Sequence, residues 1–238
     1  MKVVAYFHSP LRSKFGTPRQ SGVISDLPGK IVFEKPYRAV DAVRGMEGFD
    51  YIWLIWKFSE NEEKEASLTV RPPRLGGNKR VGVFASRSPY RPNQLGLSSV
   101  QIDHIDYDCS DAPVIYVKGG DLIDGTPIYD VKPYIPYTDA HPNACAGFTD
   151  VAPWKALDIE LTEGVVEMLN KPEYATLKSQ FDICKKLLAE DPRPHYHTSD
   201  TRIYNMQYDG FEIFFKVTGI KLMIIKIGRI LDNDYIQD

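Results

Sequence analysis

The sequence predicts a mainly β, α+β protein. It has an N-terminal β-barrel domain over residues 1–150 and a smaller C-terminal α+β domain over residues 151–238, in which a helix is followed by a β-hairpin. Three observations predict this. Short apolar or alternating runs recur through the first 150 residues with no long helical pattern between them. That spacing argues for a barrel or sandwich and against a parallel α/β sheet. The second part carries one clear helical period, then two alternating runs joined by Asp209-Gly210, a dipeptide suited to a two-residue hairpin turn.

In chain order, Lys2 to Phe7 reads as the opening strand and Ile31 to Phe33 as a short second one. Asp41 to Met46 suits one or two helical turns, with Asp41 near the start. Tyr51 to Phe58 (YIWLIWKF) is apolar on both faces, which predicts a central strand. Val81 to Ala85, Leu97 to Ile105, Val114 to Lys118 and Tyr129 to Pro133 complete the N-terminal strands. Tyr174, Leu177, Phe181, Cys184 and Leu188 recur in steps of 3, 4, 3 and 4, which predicts an amphipathic helix over 172–189. Pro172 suits its first turn, and Asp191-Pro192-Arg193-Pro194 ends it. Ile203 to Tyr208 and Phe211 to Val217 form the hairpin, with Lys221 to Ile227 as a third strand. The domain boundary falls near Asp150 to Lys155.

Composition narrows the function. Hydrophobic residues at 43% and charged residues at 26% predict a packed core. A formal net charge of −3 makes the chain no polycation, so a nucleic-acid surface must be a local patch. Cys109, Cys145 and Cys184 are sparse and far apart, which fits free thiols in a reducing compartment and a cytoplasmic location. No apolar stretch reaches the length of a membrane span, and the first ten residues lack the pattern of a signal peptide.

The most informative stretch is Leu68 to Ile102, which holds Arg71, Arg74, Lys79, Arg80, Arg87 and Arg91 and no acid. A one-signed patch in a net-acidic chain attracts phosphate backbones. The plainer alternative is a solvated loop whose acids lie nearby in space. Arginine dominates, and its planar fork makes bidentate contacts that lysine cannot. Pro72, Pro73, Pro89 and Pro92 stiffen the loops, Gly76, Gly77 and Gly96 permit close backbone approach, and Tyr90 offers a face for stacking a base.

A second stretch, Gly119 to Asp139, supplies Asp121, Asp124 and Asp130 as acceptors for ribose hydroxyls or an amine. Asp124-Gly125-Thr126-Pro127 is equally a plain turn sequence. Tyr134 and Tyr137, beside Pro133 and Pro136, either wall a pocket or simply pack. A third stretch, Phe15 to Gly22, places Arg19, Gln20 and Gly22 in a polar loop after the first strand. There is no GxGxxG after a strand, no phosphate-binding GxxxxGK[ST] and no HExxH. His195 and His197 are the one close histidine pair and have no third ligand in sequence reach, so no metal is predicted. No cysteine–histidine or serine–histidine spacing signals covalent catalysis.

These residues resemble the TrmO/YaeB (TsaA-like) family. The resemblance is carried by TVRPPRLGGNKRVGVFASRSPYRPNQLGLS (Thr69 to Ser98), DLIDGTPIYDVKPYIPY (Asp121 to Tyr137), FGTPRQSG near the start and DPRP near the end. It runs over nearly the full length, and motifs this long are specific. The resemblance implies a cytoplasmic homodimer that uses S-adenosylmethionine, bound on a β-barrel. It implies methylation of the N6 atom of N6-threonylcarbamoyladenosine in the tRNA anticodon loop.

Carried over by position, the cofactor site falls on Gln20, Ser21 and Gly22, on Ser59 and Glu60, on Arg87 and Leu97, and on Asp121, Leu122, Ile123 and Asp124. Arg91, Asn93, Lys132 and Tyr134 are the substrate-side candidates; no residue identifies itself as a general base. Arg193, His195, His197 and Arg202 are expected to extend the RNA surface. The chain departs from the family where Ser21 and Gln94 stand in place of a frequent proline, and where Ser59 stands in place of a common histidine. The rival function is a non-catalytic RNA-binding β-barrel, which needs the basic patch but no cofactor pocket.

Overall fold

The computed structural model describes residues 1–61, 67–76, 79–151, 155–193 and 201–230. The first strands are β1 (Ala5–His8), β2 (Pro28–Phe33), β3 (Tyr51–Lys57), β4 (Thr69–Val70), β5 (Val81–Gly82), β6 (Leu95–Asp106), β7 (Val114–Lys118) and β8 (Thr126–Pro133). Six of them pair in the order β1-β2-β7-β6-β3-β8, and β8 returns to β1, so the sheet closes into a ring. Every pairing in it is antiparallel. Closure leaves these strands no open edge.

Alternation decides what fills the ring. Phe7, Ile31, Ile52, Leu54, Ile115 and Ile128 point inward and are fully buried. The Phe7 ring has room because two neighbours lack side chains. A Cβ at Gly29 would lie 2.4 Å from Phe7 Cζ, and one at Gly120 would lie 2.6 Å from it.

β3 lies between β6 and β8, as predicted for a central strand, but only one of its faces is fully covered. Ile52, Leu54 and Trp56 are buried, but Tyr51 is exposed and Trp53 and Ile55 are half-buried. One face lines the interior and the other carries an aromatic stripe on the outside. The continuous apolar run reads as doubly covered because Tyr51, Trp53 and Ile55 occupy the outer positions. Val81 to Ala85 also differs: β5 stops at Gly82 and a 3-10 turn, Val83–Ala85, follows. Near Asp41, one helical turn spans Val40–Val43.

Two compact units divide the chain. One holds Met1–Ser9, Gln20–Asp121 and Gly125–Trp154, and the other holds Pro10–Arg19, Leu122–Asp124 and Lys155–Asp238. The second contains β9 (Asp158–Leu161), β10 (Tyr204–Tyr208), β11 (Phe211–Thr218) and β12 (Lys221–Arg229) in the order β10-β11-β12-β9. β9 runs parallel to β12. Four residues of mixed character give no readable period, so the sequence does not announce β9 or the helix Glu163–Leu169 that follows it.

The predicted helix is present as a 3-10 turn, Pro172–Tyr174, leading into Ala175–Ala189. Tyr174, Leu177, Phe181, Cys184 and Leu188 are all buried. The hairpin turn has positive φ at both Asp209 (46°) and Gly210 (78°), as a type I′ turn requires. The segment from residue 10 to 19 packs into this unit through Phe15, which stacks near Tyr204 and Phe215 with centroids 6.3 and 6.2 Å away.

The loop that ends the long helix is tied down. Arg193 Nε and Nη2 donate to the two Asp191 carboxylate oxygens at 2.8 and 2.9 Å, and Arg19 donates to the Asp191 carbonyl at 3.0 Å. The Arg193 guanidinium, expected to extend an RNA surface, faces its own loop's carboxylate. His195 and His197 lie outside the described residues. The Asp191→Ala variant is expected to lose about 1–3 kcal/mol, since a bidentate charge-assisted pair is removed. Asp191→Asn should fall between it and wild type in urea denaturation.

Candidate cofactor and substrate site

The site grows from the end of β3 and the start of β6. Gly96, Ser98 and Val100 occupy the inward phase of β6, and all three are buried. Gly96 is required there: a Cβ would lie 2.2 Å from Trp56 Cε2. Trp56, near the end of β3, rests on that glycine and meets Phe58 edge-on at 4.3 Å between centroids. Its indole N–H donates to Ser98 Oγ at 2.9 Å, and Ser98 Oγ donates to Asp121 Oδ1 at 2.5 Å.

Asp121 retains a little accessible surface, yet its carboxyl is enclosed by protein. Burial therefore pushes it up to about 6, against the opposing effects of the Ser98 hydroxyl, backbone N–H groups including that of Ser21, and the Arg87 guanidinium. Gln20, Ser21 and Gly22 approach the same place from the loop after β1. Arg87 donates to the Gln20 carboxamide, and Gly22 N–H donates to the Gly119 carbonyl at 2.8 Å. Gly22 has φ of 78°, a left-handed conformation that glycine adopts without strain.

Ser59 and Glu60 are exposed, in a turn held at both shoulders. Phe58 N–H donates to the Gln94 carbonyl at 2.9 Å, and Asn61 Nδ2 donates to the Pro89 carbonyl at 3.1 Å. The turn is thus pinned to the loop carrying Arg87, Arg91 and Asn93. Arg91 Nη1 donates to the Ser86 carbonyl at 2.7 Å, which braces that loop. Gln94 stands where the family often has proline, and its backbone explains why proline is not equivalent here. Its φ is 50° and its N–H donates to the Arg91 carbonyl at 3.1 Å. Proline offers neither that dihedral nor that donor.

The structure thus brings Gln20, Ser21, Gly22, Arg87 and Asp121 together and links Ser59, Glu60, Arg91 and Asn93 to them through one loop. It does not bring Leu97 with them. Leu97 is 60% exposed and takes the outward phase of β6, opposite Ile55, while its neighbour Ser98 points inward. Lys132 and Tyr134 belong to that outer side as well. Lys132 pairs with Trp53 in the β3–β8 register, and the Tyr134 ring packs against Tyr51 and Trp53 at 6.1 and 5.5 Å. Leu122, Ile123 and Asp124 group with the second unit. The Leu122 side chain is fully buried, so only its backbone is available to a ligand.

Ser98 and Trp56 are site residues that sequence reasoning missed. The signal was a serine on the inward phase of an otherwise apolar alternation, a position where an unpaired hydroxyl is costly. Phe84 was missed too. It is 75% exposed and Tyr90 is 62% exposed, and both lie within the acid-free basic stretch.

Among the described residues, three of these arginines donate hydrogen bonds to neutral groups. Arg80 donates to the Thr69 hydroxyl at 2.9 Å, Arg91 to a carbonyl and Arg87 to a carboxamide, all neutral acceptors. Arg71, Arg74 and Lys79 are exposed. A separate cavity of about 140 Å³ lies within the second unit, lined in part by Lys14, Thr17, Arg19 and Glu190. It is smaller than the roughly 300–1,000 Å³ of small-molecule sites. Among the described residues, no cluster of His, Cys, Asp and Glu is arranged to hold a metal, and no helix is long and apolar enough to cross a membrane.

The comparisons with known proteins agree over both parts of the chain. The family model of the tRNA-methyltransferase O N-terminal domain matches residues 6–140, and that of the TrmO C-terminal domain matches residues 155–230. The chain is 36% identical over 222 residues to the tRNA (adenine(37)-N6)-methyltransferase of Escherichia coli strain K12, covering 90% of this chain and 92% of that one. It is 35% identical over 193 residues to a Pseudomonas aeruginosa protein whose name describes an S-adenosylmethionine-dependent methyltransferase, covering 81% of each. The crystal structure of TrmO from Pseudomonas aeruginosa shares the fold, with a TM-score of 0.74 and 24% identity over 95% of this chain and 96% of that one.

Proposed function

The chain belongs to the tRNA-methyltransferase O family, and from that premise we propose that it transfers a methyl group from S-adenosylmethionine to N6 of the adenine at position 37 of tRNA. The substrate form is N6-threonylcarbamoyladenosine. The observation that carries this reading is the enclosed Asp121 carboxylate, flanked by the Arg87 guanidinium and the Gln20–Gly22 loop.

The residues present suit S-adenosylmethionine. Its methionyl group is a zwitterion and its ribose carries hydroxyls. The cluster offers one anionic acceptor, one cationic donor and an amide. Asp121 would accept from a hydroxyl or ammonium donor, Arg87 would donate to the methionyl carboxylate, and backbone groups of Ser21 and Gly22 would line the rest. Bound there, the cofactor supplies a methyl group already activated on a sulfonium. The chain's task is therefore positioning, which accounts for a large share of rate in such transfers.

Arg91 grips the threonyl carboxylate through its guanidinium fork, while the Ser86 carbonyl holds its other edge. Asn93, exposed on the same loop, orients the base. Lys132 and Tyr134 then act on the substrate from the outer face of the ring. Arg71, Arg74, Lys79 and Arg80 steer the anticodon stem-loop, and Phe84 and Tyr90 stack its unpaired bases. In this reading the ring serves as a closed β-barrel: residues 1–150 hold the cofactor and residues 151–238 support the RNA. The chain works as a homodimer in the cytoplasm.

Calorimetric titration with S-adenosylmethionine, followed by mass spectrometry of nucleosides from tRNA incubated with the protein, tests the reading. Saturable binding and a methylated threonylcarbamoyladenosine product are expected. RNA binding without cofactor binding would support the non-catalytic barrel instead. Arg91→Lys is expected to raise KM for modified tRNA by roughly tenfold with cofactor affinity unchanged, because a bidentate contact is lost; loss of cofactor binding would reassign Arg91. Arg74→Ala should weaken tRNA binding and reduce the salt slope of log K by about one contact's worth, as measured by filter binding across a salt series.

A further inference from the structure

Asp121 is reached by a chain of hydrogen bonds that has only one possible direction. An indole N–H donates and cannot accept. Trp56 Nε1–H therefore makes Ser98 Oγ the acceptor at 2.9 Å. The serine's single proton is left for Asp121 Oδ1, 2.5 Å away. Asp121 Oδ1 must then be an acceptor oxygen. Ser98 is 1% exposed, on a face whose other members are apolar or glycine. A buried hydroxyl there costs free energy unless it is bonded, and this one is bonded on both sides. Gly96 keeps open the space that lets Trp56 lie in reach.

We propose that Ser98, locked by Trp56, is a positioning residue for the cofactor: it fixes one Asp121 oxygen as an acceptor in a single orientation, so that the carboxylate is presented to a hydroxyl or ammonium donor of S-adenosylmethionine. This rests on Asp121 being a cofactor contact. The relay offsets the burial that otherwise favours the uncharged acid. The Ser98 hydroxyl ranks first among the influences that lower the Asp121 value, ahead of the Ser21 N–H and the Arg87 charge.

The test uses the full chain as wild type, Ser98→Ala, Ser98→Thr, Trp56→Phe and Asp121→Asn. The Asp121 side-chain carboxyl is titrated by carbon-detected NMR without ligand, and S-adenosylmethionine affinity is measured by calorimetry at pH 7 and pH 8.5. Ser98→Ala is expected to move the Asp121 titration upward. It should weaken binding roughly tenfold at pH 7, the size expected for a bond to a charged group, with recovery at pH 8.5 as the acid ionises. Trp56→Phe should shift both readouts in the same direction by less, and Ser98→Thr should restore them by returning the hydroxyl. A purely structural serine would lower affinity equally at both pH values and would overturn the proposal, as would an unmoved Asp121 titration in Ser98→Ala. If Asp121→Asn keeps full affinity while Ser98→Ala still moves the titration, the failure lies in reading Asp121 as a cofactor contact, and the positioning role falls with it.

Discussion

Asp121→Asn is expected to bind S-adenosylmethionine ten- to a hundredfold more weakly and yet to be more stable than wild type at pH 8. The loss follows from replacing an ionised acceptor by a neutral amide, which removes a charge-assisted bond. The gain follows from linkage. Burial raises the folded-state value of Asp121 from 3.8 to about 6. A carboxyl raised in this way favours the folded state fully below its unfolded value, and that preference is lost as pH rises through the folded value. Wild-type stability should therefore fall between about pH 4 and pH 6 and then level off.

A shift of this size corresponds to about 3 kcal/mol. The carboxyl keeps some contact with water, so a gain of roughly 2 kcal/mol is expected for the asparagine variant at pH 8, vanishing near pH 4. Urea denaturation at the two pH values reads it directly. A variant less stable than wild type at pH 8 would show that the buried charge is more than compensated. The same shift predicts that wild-type cofactor affinity declines as pH drops below about 6, a decline that Asp121→Asn should not show.

Gly96→Ala should damage both fold and function, although it adds a single methyl group. That methyl would sit 2.2 Å from the Trp56 ring, which is buried, bonded to Ser98 and packed against Phe58. The ring has no free end to swing aside. Overpacking of this kind costs about 1–3 kcal/mol, or roughly 2–12 °C in a chain of this size. Cofactor affinity should fall too, because a displaced indole no longer orients Ser98. Gly82→Ala is the control. No atom lies within 4 Å of a Cβ built there, so its melting temperature should match wild type within the spread of neutral surface changes, about 0.5 kcal/mol.

How much of this was legible beforehand differs by element. The helix Ala175–Ala189 and the hairpin at Asp209-Gly210 were readable because their signals are local: a 3.6-residue period and a dipeptide that tolerates positive φ. β9 was not, since four residues take their pairing from β12, some sixty positions away. β3 was found as a strand and misread in its surroundings, because Tyr51 and Trp53 are apolar enough to look covered.

The candidate site divides in the same way. The sequence by itself determined the chemistry: an acid-free, arginine-bearing stretch, an aspartate turn and long motifs that mark the family, all of which are properties of neighbouring residues. Tertiary structure decided which of those residues meet. Asp121 acquires its character from Ser98 and Trp56, which lie 23 and, one bond further, another 42 positions away, and from burial that no linear reading reveals. It also set Leu97 and Ser98, adjacent in sequence, on opposite faces of one strand. The physical reason is that charge and hydroxyl groups are carried by the residue, whereas desolvation and hydrogen-bond direction belong to whatever the closed ring packs around it.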